Sequence, residues 1–299
     1  MTCVRAALLL ALLLADVVAS AQELEPRAYS PNPTGANFLV FGYGQSSGGV
    51  LFDPALPFSD VEANLSNTLV GYGRTFGLFG RSATALLGVP YVWGDVSGNV
   101  GEDRREVSRS GLADTRLKLS INLLGGPALS PAEFAARKPG TTLGASLVVA
   151  APTGQYDPAK LVNIGSNRWG FKPELGVSQP IGHWFLEASA GVWMFTINDD
   201  FFGGSKREQD PISALQAHVS YTFRPRLWIA ADATYYEGGR TTLDGQRGAD
   251  VQANSRIGVT LAIPVAARHA VKLTWSEGAA TRAGGDFSSY AIAWQYTWF

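Results

Sequence analysis

The chain has 299 residues with 24 Lys and Arg against 25 Asp and Glu, a net charge of −1 that leaves no basic stripe for nucleic acid. Its 34 Gly, 15 Phe, ten Tyr and eight Trp, at a mean hydropathy of +0.04, suit a membrane barrel and a soluble globule alike, so the order of the residues has to decide. The one cysteine, Cys3, lies among the first residues, which denies the rest of the chain a disulfide or a thiolate metal site.

Arg5, the apolar run 6–14 and the small-residue exit Ala19-Ser20-Ala21 predict a secretory signal peptide over residues 1–21, with 22–299 as one exported domain. That run is too short to cross a bilayer, and no later uncharged stretch reaches the roughly 20 residues a spanning helix needs. A strand that crosses the outer membrane needs about 9 to 11 residues, apolar toward lipid and polar or small toward the lumen. Stretches near Asn37, Leu65 and Ala85 fit this loosely. The clearest is 113–123, where Ala113, Thr115, Leu117, Leu119, Ile121 and Leu123 share one face and Asp114, Arg116, Lys118, Ser120 and Asn122 the other. The same alternation runs through 141–151, 169–179, 184–194, 215–223, 227–235, 251–263 and 271–275, and ends near Ile292. About twelve strands result, and the expected fold is all-β, a transmembrane antiparallel up-and-down barrel.

Connections alternate in length, as short periplasmic turns and long external loops do in such barrels. Residues 77–80, 180–183, 224–226 and 264–268 are short; 46–59, 94–109, 154–167, 198–210 and 238–250 are long, polar and rich in Gly and Asp. One connection, 124–140, is long on the short side, and its Ser130-Pro131 start predicts a brief periplasmic helix. Only about a dozen residues separate Gln22 from the first strand, so no N-terminal plug is expected. Loop 198–210, with Phe201-Phe202-Gly203-Gly204, is the candidate to fold into the lumen or to meet lipopolysaccharide. An even strand number puts both termini in the periplasm. The chain ends on Tyr290, Ile292, Trp294, Tyr296, Trp298 and Phe299, similar to the terminal strand by which outer-membrane proteins meet the barrel-assembly machinery. The apolar face is offset by one from the usual register, whose places are held by Ala293, Gln295 and Thr297. Trp169, Trp184, Trp228, Tyr235, Trp275 and Trp298 sit near segment ends, where aromatic girdles meet lipid headgroups.

Three segments carry a resemblance: Ser110 to Lys118 before Asn122-Leu123-Leu124-Gly125, Ala151-Pro152-Thr153-Gly154-Gln155-Tyr156-Asp157, and Asn167 to Glu174. In these the chain resembles the outer-membrane protein family named for the MetA pathway of phenol degradation. The resemblance spans nearly all of 22–299 and implies transport of aromatic or other small hydrophobic compounds.

Chemistry beyond transport finds little support in the sequence. Three histidines, His183, His218 and His269, stand far apart, and loop carboxylates such as Asp157 and Asp199-Asp200 lack the ligand spacing of a calcium loop, so no metal and no cofactor are expected. Gly71-Tyr72-Gly73 and Gly42-Tyr43-Gly44 lie within alternating strands, without the helix a phosphate loop requires. His218-Val219-Ser220 resembles the His-x-Ser pair of outer-membrane phospholipase A, with Asp232 on the next strand. Here, however, Leu215, Ala217, Val219 and Tyr221 take the lipid face and turn His218 and Ser220 inward. The expected lumenal set is Asp114, Arg116, Lys118, Lys172, Glu174, Glu187, His218, Asp232, Arg256 and Lys272, with a constriction where Arg116 and Lys118 approach Lys172 and Glu174. The resulting reading is a passive channel for a small-molecule solute and not an enzyme. A closed structural or adhesive barrel, or a lipid-modifying enzyme using His218 and Ser220, are its rivals.

Overall fold

The computed structural model describes residues 24–51 and 58–299; the predicted signal peptide lies outside them. Twelve strands form the wall: β1 (Asn37–Leu51), β2 (Phe58–Leu78), β3 (Arg81–Val100), β4 in two pieces (β4a, Asp103–Leu112; β4b, Thr115–Leu124), β5 (Thr142–Ala151), β6 (Gly170–Ile181), β7 (Trp184–Phe195), β8 (Ile212–Arg224), β9 (Leu227–Gly238), β10 (Gln252–Ala266), β11 (His269–Ala280) and β12 (Gly284–Trp298). Each is antiparallel to the next. β1 pairs with β12 from Asn37↔Trp298 to Leu51↔Gly284, which closes the barrel and leaves no sheet edge to be satisfied in hydrocarbon. No helix among the described residues is long and apolar enough to cross a membrane.

The period of two sorts the side chains. Leu117, Leu119, Leu147, Leu175, Val177, Leu186, Val219, Val259 and Ile292 stand exposed on the outside, while Lys172, Glu174, Ser178, Gln216, His218, Asp232 and Thr260 are buried inside. Aromatic contacts ring both ends of this apolar belt: Tyr43, Tyr91 and Trp93 at one level, and His269, Trp294, Tyr296 and Trp298 at the other. Trp228 departs from the predicted girdle, because it is buried and faces the lumen. Leu175 is 57% exposed at the middle of β6. Leu175→Arg therefore lowers stability by about 2–4 kcal/mol, read from urea unfolding in lipid vesicles; an unchanged midpoint would mean that this face does not meet hydrocarbon.

The termini of the barrel and the short turns share one end, called inner here. The predicted helix is present at that end as α1 (Pro131–Ala136). The Ser130 hydroxyl accepts from the Glu133 amide, and the Glu133 carboxylate accepts from the Ser130 amide at 2.9 Å and from its hydroxyl at 2.7 Å, bonds that hold this carboxyl below the ordinary range.

The outer end differs from expectation. Residues 94–109 are not a loop: β3 and β4a continue as a paired hairpin from Tyr91↔Leu112 to Val100↔Asp103. Beyond the bilayer a strand needs no apolar face, so the alternation that marks the lower wall is lost there. β4 breaks at Ala113 and Asp114. The Ala113 amide donates to Pro90 O at 2.9 Å, and the Ala113 side chain, expected on the lipid face, is buried against Val92 and Ile164. Residues 198–210 form strands 198–201 and 205–209 of a small outer sheet, in which 205–209 pairs with 241–243 and that strand in turn with 246–247.

Candidate functional site, a plugged lumenal chamber

The inner half of the lumen is filled by residues the sequence had placed outside it. The dozen residues before β1 do form a plug. The Arg27 amide donates to Glu187 Oε2 at 2.7 Å, and its guanidinium donates to Ser220 Oγ at 3.2 Å and to Thr222 Oγ1 at 2.6 Å. The same guanidinium lies 4.5 Å from the Phe185 ring centre and 4.6 Å from that of Trp228. Trp228 is thus turned inward to hold a cation, and the Ser220 hydroxyl of the suspected His-Ser pair serves as an acceptor for Arg27. On the adjoining strands β6 and β5 the Tyr29 hydroxyl donates to Glu174 Oε1 at 2.7 Å and meets Ser146 Oγ at 3.0 Å. Its ring lies directly on two glycines: a Cβ on Gly176 would come within 2.1 Å of Tyr29 Cε2, and one on Gly144 within 2.2 Å of Cδ1. Gly176→Leu therefore expels Tyr29 from its seat, and the expected result is a higher time-averaged single-channel conductance from a barrel that still folds. Unchanged conductance would mean that Tyr29 does not close the path.

Glu174 organises this level. It accepts from Tyr29, from Lys172 Nζ at 3.0 Å and from Gln216 Nε2 at 3.1 Å, with Lys172 and Glu174 side chains each 2% exposed. Around the wall His218 Nδ1 lies 2.7 Å from Asp232 Oδ1, whose other oxygen accepts from the Thr260 hydroxyl at 2.7 Å. Arg256 donates to Phe287 O at 2.7 Å and to Ser276 Oγ at 3.3 Å, and Lys272 Nζ lies 5.9 Å over the Trp228 ring. Nine of the ten predicted residues stand at inward positions of seven strands, β4b and β6 to β11, and Asp114 lies in the β4 break. Lys118 and Lys172 share one row with Val148 between them, by the pairings Lys118↔Val148 and Val148↔Lys172. What closes this level is the N-terminal segment, whose Glu25 pairs with Lys118.

Above Glu25 the lumen opens into a chamber of about 400 Å³. Its wall is apolar over more than half its lining: Leu65, Leu69, Leu86, Pro90, Val92, Val148, Trp193, Phe195 and Phe287 line it with Arg116, Lys118, Asn67 and Ser46. The roof is the connection 152–169, which the sequence placed outside. Ile164, Ser166 and Arg168 line the chamber, and Val162 reaches across the barrel to Val50, Val61, Ala63 and Phe287. Asp114, buried at the break in β4, anchors the fold-in: its carboxylate accepts from the Gly154 amide at 2.9 Å and from the amide and hydroxyl of Ser166. Arg109 Nε adds a bond to Val162 O at 2.8 Å. Asp114 is therefore a pin for the roof. The Asp157 carboxylate accepts from the Ala159 amide and pairs with Lys160, and among the described residues no group of three His, Cys, Asp or Glu is placed to hold a metal.

A closed barrel with an apolar outside, a filled inner end and an apolar chamber matches known proteins at two levels. The family model described as "Putative MetA-pathway of phenol degradation" matches residues 33–296. The chain belongs to this family. Among solved structures it is similar to the COG4313 outer membrane channel from Pseudomonas putida F1, at 21% identity and a TM-score of 0.77, covering 92% of this chain and all of that one. The transport unit of the autotransporter AIDA-I from Escherichia coli follows at 10% identity and 0.52, covering 95% and 96% of the two chains, and the beta domain of the Bordetella autotransporter Brka at 12% and 0.50, covering 88% and 100%. No curated protein matches. At these identities the structural likenesses establish the barrel and nothing finer. For this MetA-pathway family member the features that sequence reasoning missed are Arg27, Tyr29, the roof and the apolar chamber wall. The available signal was the pair Gly144 and Gly176, at inward positions of neighbouring strands, where a residue without a side chain makes room for a ring.

Proposed function

We propose that this protein is an outer-membrane channel for passive uptake of small molecules with an apolar body. In this reading the signal peptide exports the chain, the inner end faces the periplasm, and solute passes the roof, rests in the chamber and leaves when residues 24–36 yield. The observation that carries it is the chamber wall. A barrel that conducts polar solutes has a polar interior, whereas Leu65, Leu69, Leu86, Val92, Val148 and Trp193 here turn apolar side chains away from lipid and toward the lumen. The cost of exposing that surface to lumenal water is offset when an apolar solute covers it. In this reading flux follows the solute's own gradient.

The test is single-channel recording from refolded protein in planar bilayers, with phenol, benzoate and short fatty acids added in turn. The reading expects brief discrete openings that at least one of these solutes blocks. Silent insertion of a correctly folded barrel, with or without residues 24–30, would support a closed structural barrel instead.

A further inference from the structure

We propose that the inner rim carries a docking ridge for anionic phospholipid headgroups of the phosphatidylglycerol type, built from three neighbouring turns of the wall. The turns are 181–184 between β6 and β7, 224–227 between β8 and β9, and 266–269 between β10 and β11, which follow one another around the barrel. Hydrogen bonds tie them into one surface. The Thr222 amide donates to His183 O at 2.8 Å and His183 Nδ1 lies 2.9 Å from Thr222 O, while the Arg226 guanidinium donates to Ala266 O at 3.2 Å and to His269 O at 3.0 Å. The proposal rests on the barrel's seat in the outer membrane and not on the solute path.

The charge of this ridge is one-sided in a chain whose net charge is −1. Arg224, Arg226 and Arg268 are exposed there. The Arg224 and Arg268 side chains make no hydrogen bond or ion pair among the described residues, and Arg226 donates to carbonyls, which leave its charge uncancelled. No Asp or Glu occurs in 175–186, 215–231 or 258–276, the stretches that carry the turns, and the carboxylates bordering the first two, Glu174, Glu187 and Asp232, are buried in the lumen. The planar fork of arginine matches the oxygens of a phosphate. A lipid fits this rim better than a soluble acidic protein because the rim is also apolar. Ile181, Phe223 and Val265 are each more than half exposed, Trp184 packs edge-on to Tyr221 at 4.9 Å, and His269 lies against Trp294 and Tyr296. Apolar and aromatic side chains immediately beside arginines mark the depth at which acyl chains give way to phosphates.

The probes are phosphatidylglycerol and phosphatidylethanolamine, given identical acyl chains so that only the headgroup and its charge differ. Native mass spectrometry of the whole refolded protein, released from micelles holding the two lipids in equal amount, is expected to show about tenfold more bound phosphatidylglycerol, since each arginine near an anionic headgroup contributes about a fivefold preference that solvent partly screens. Arg224→Gln/Arg268→Gln, which removes no bond seen in the fold, is expected to bring the two lipids within about twofold of each other. Arg104→Gln/Arg105→Gln, on the β3–β4a hairpin beyond the bilayer, is expected to leave the preference unchanged. If the first double variant does not fold, judged by the heat-dependent shift of the barrel on electrophoresis, Arg268→Gln alone is expected to lower the preference about threefold. Equal retention of the two lipids by the unaltered protein, a preference that survives the loss of Arg224 and Arg268, or one that the hairpin variant abolishes would each overturn the proposal. Lipid retention and conductance are separate readouts, so a barrel that selects phosphatidylglycerol and never conducts would sink the channel reading alone.

Discussion

Deleting residues 24–30 raises the time-averaged conductance of the refolded barrel about tenfold and replaces brief openings with long ones. The magnitude follows from what seats the segment. The Tyr29 bond to the Glu174 carboxylate supplies about 1.5–3 kcal/mol, and each of the Arg27 contacts with Phe185 and Trp228 supplies about 0.5–2 kcal/mol. Ordering the backbone of the segment opposes these contacts and the Arg27 bonds to Glu187, Ser220 and Thr222. The seat is poised, with an open state lying within a few kcal/mol of the closed one. Tyr29→Phe, which keeps the ring on Gly144 and Gly176 and removes only the hydroxyl, is expected to fall between wild type and deletion. Identical recordings from deletion and wild type would show that the segment does not control the path.

Glu174→Ala has the largest expected effect on stability, about 3–5 kcal/mol, because it leaves the Lys172 ammonium buried without its carboxylate. The same change takes an acceptor from Tyr29 and from Gln216, which both donate to Glu174. Urea unfolding in vesicles reads the loss. The double variant Lys172→Met/Glu174→Leu removes both charges, and its stability is expected to return close to that of wild type. A single variant within about 1 kcal/mol of wild type would mean that water reaches this ion pair, contrary to the burial described.

The wall of the barrel was legible in the sequence because hydrocarbon imposes a period of two. Leu117 and Leu119 against Arg116 and Lys118, or Val219 against His218 and Ser220, announce the two faces without help from the structure. The legibility stops where that constraint stops. Residues 103–109, with three Arg and two carboxylates, lie beyond the bilayer and carry no alternation, so the β3–β4a hairpin reads as a loop. The chamber escaped for a related reason. Val148 and Trp193 are apolar residues that face inward, and a pattern that assigns apolar side chains to lipid has no way to announce them. The plug is the least legible feature of all. Its contacts join Arg27 and Tyr29 to residues more than a hundred positions away, and neither residue belongs to a periodic run. The roof shares that difficulty, since the bond between Asp114 and Ser166 depends on a strand break that only pairing with β3 and β5 reveals.

In the proposed function small molecules cross this barrel down their gradient, through the chamber and past residues 24–36. Swelling of proteoliposomes in an isosmotic solution of a small permeant solute tests it most directly. The prediction is swelling above that of protein-free vesicles for the intact chain and about tenfold faster swelling after deletion of 24–30. Equal, background-level swelling for both proteins, with the barrel shown to be folded and inserted, would contradict it.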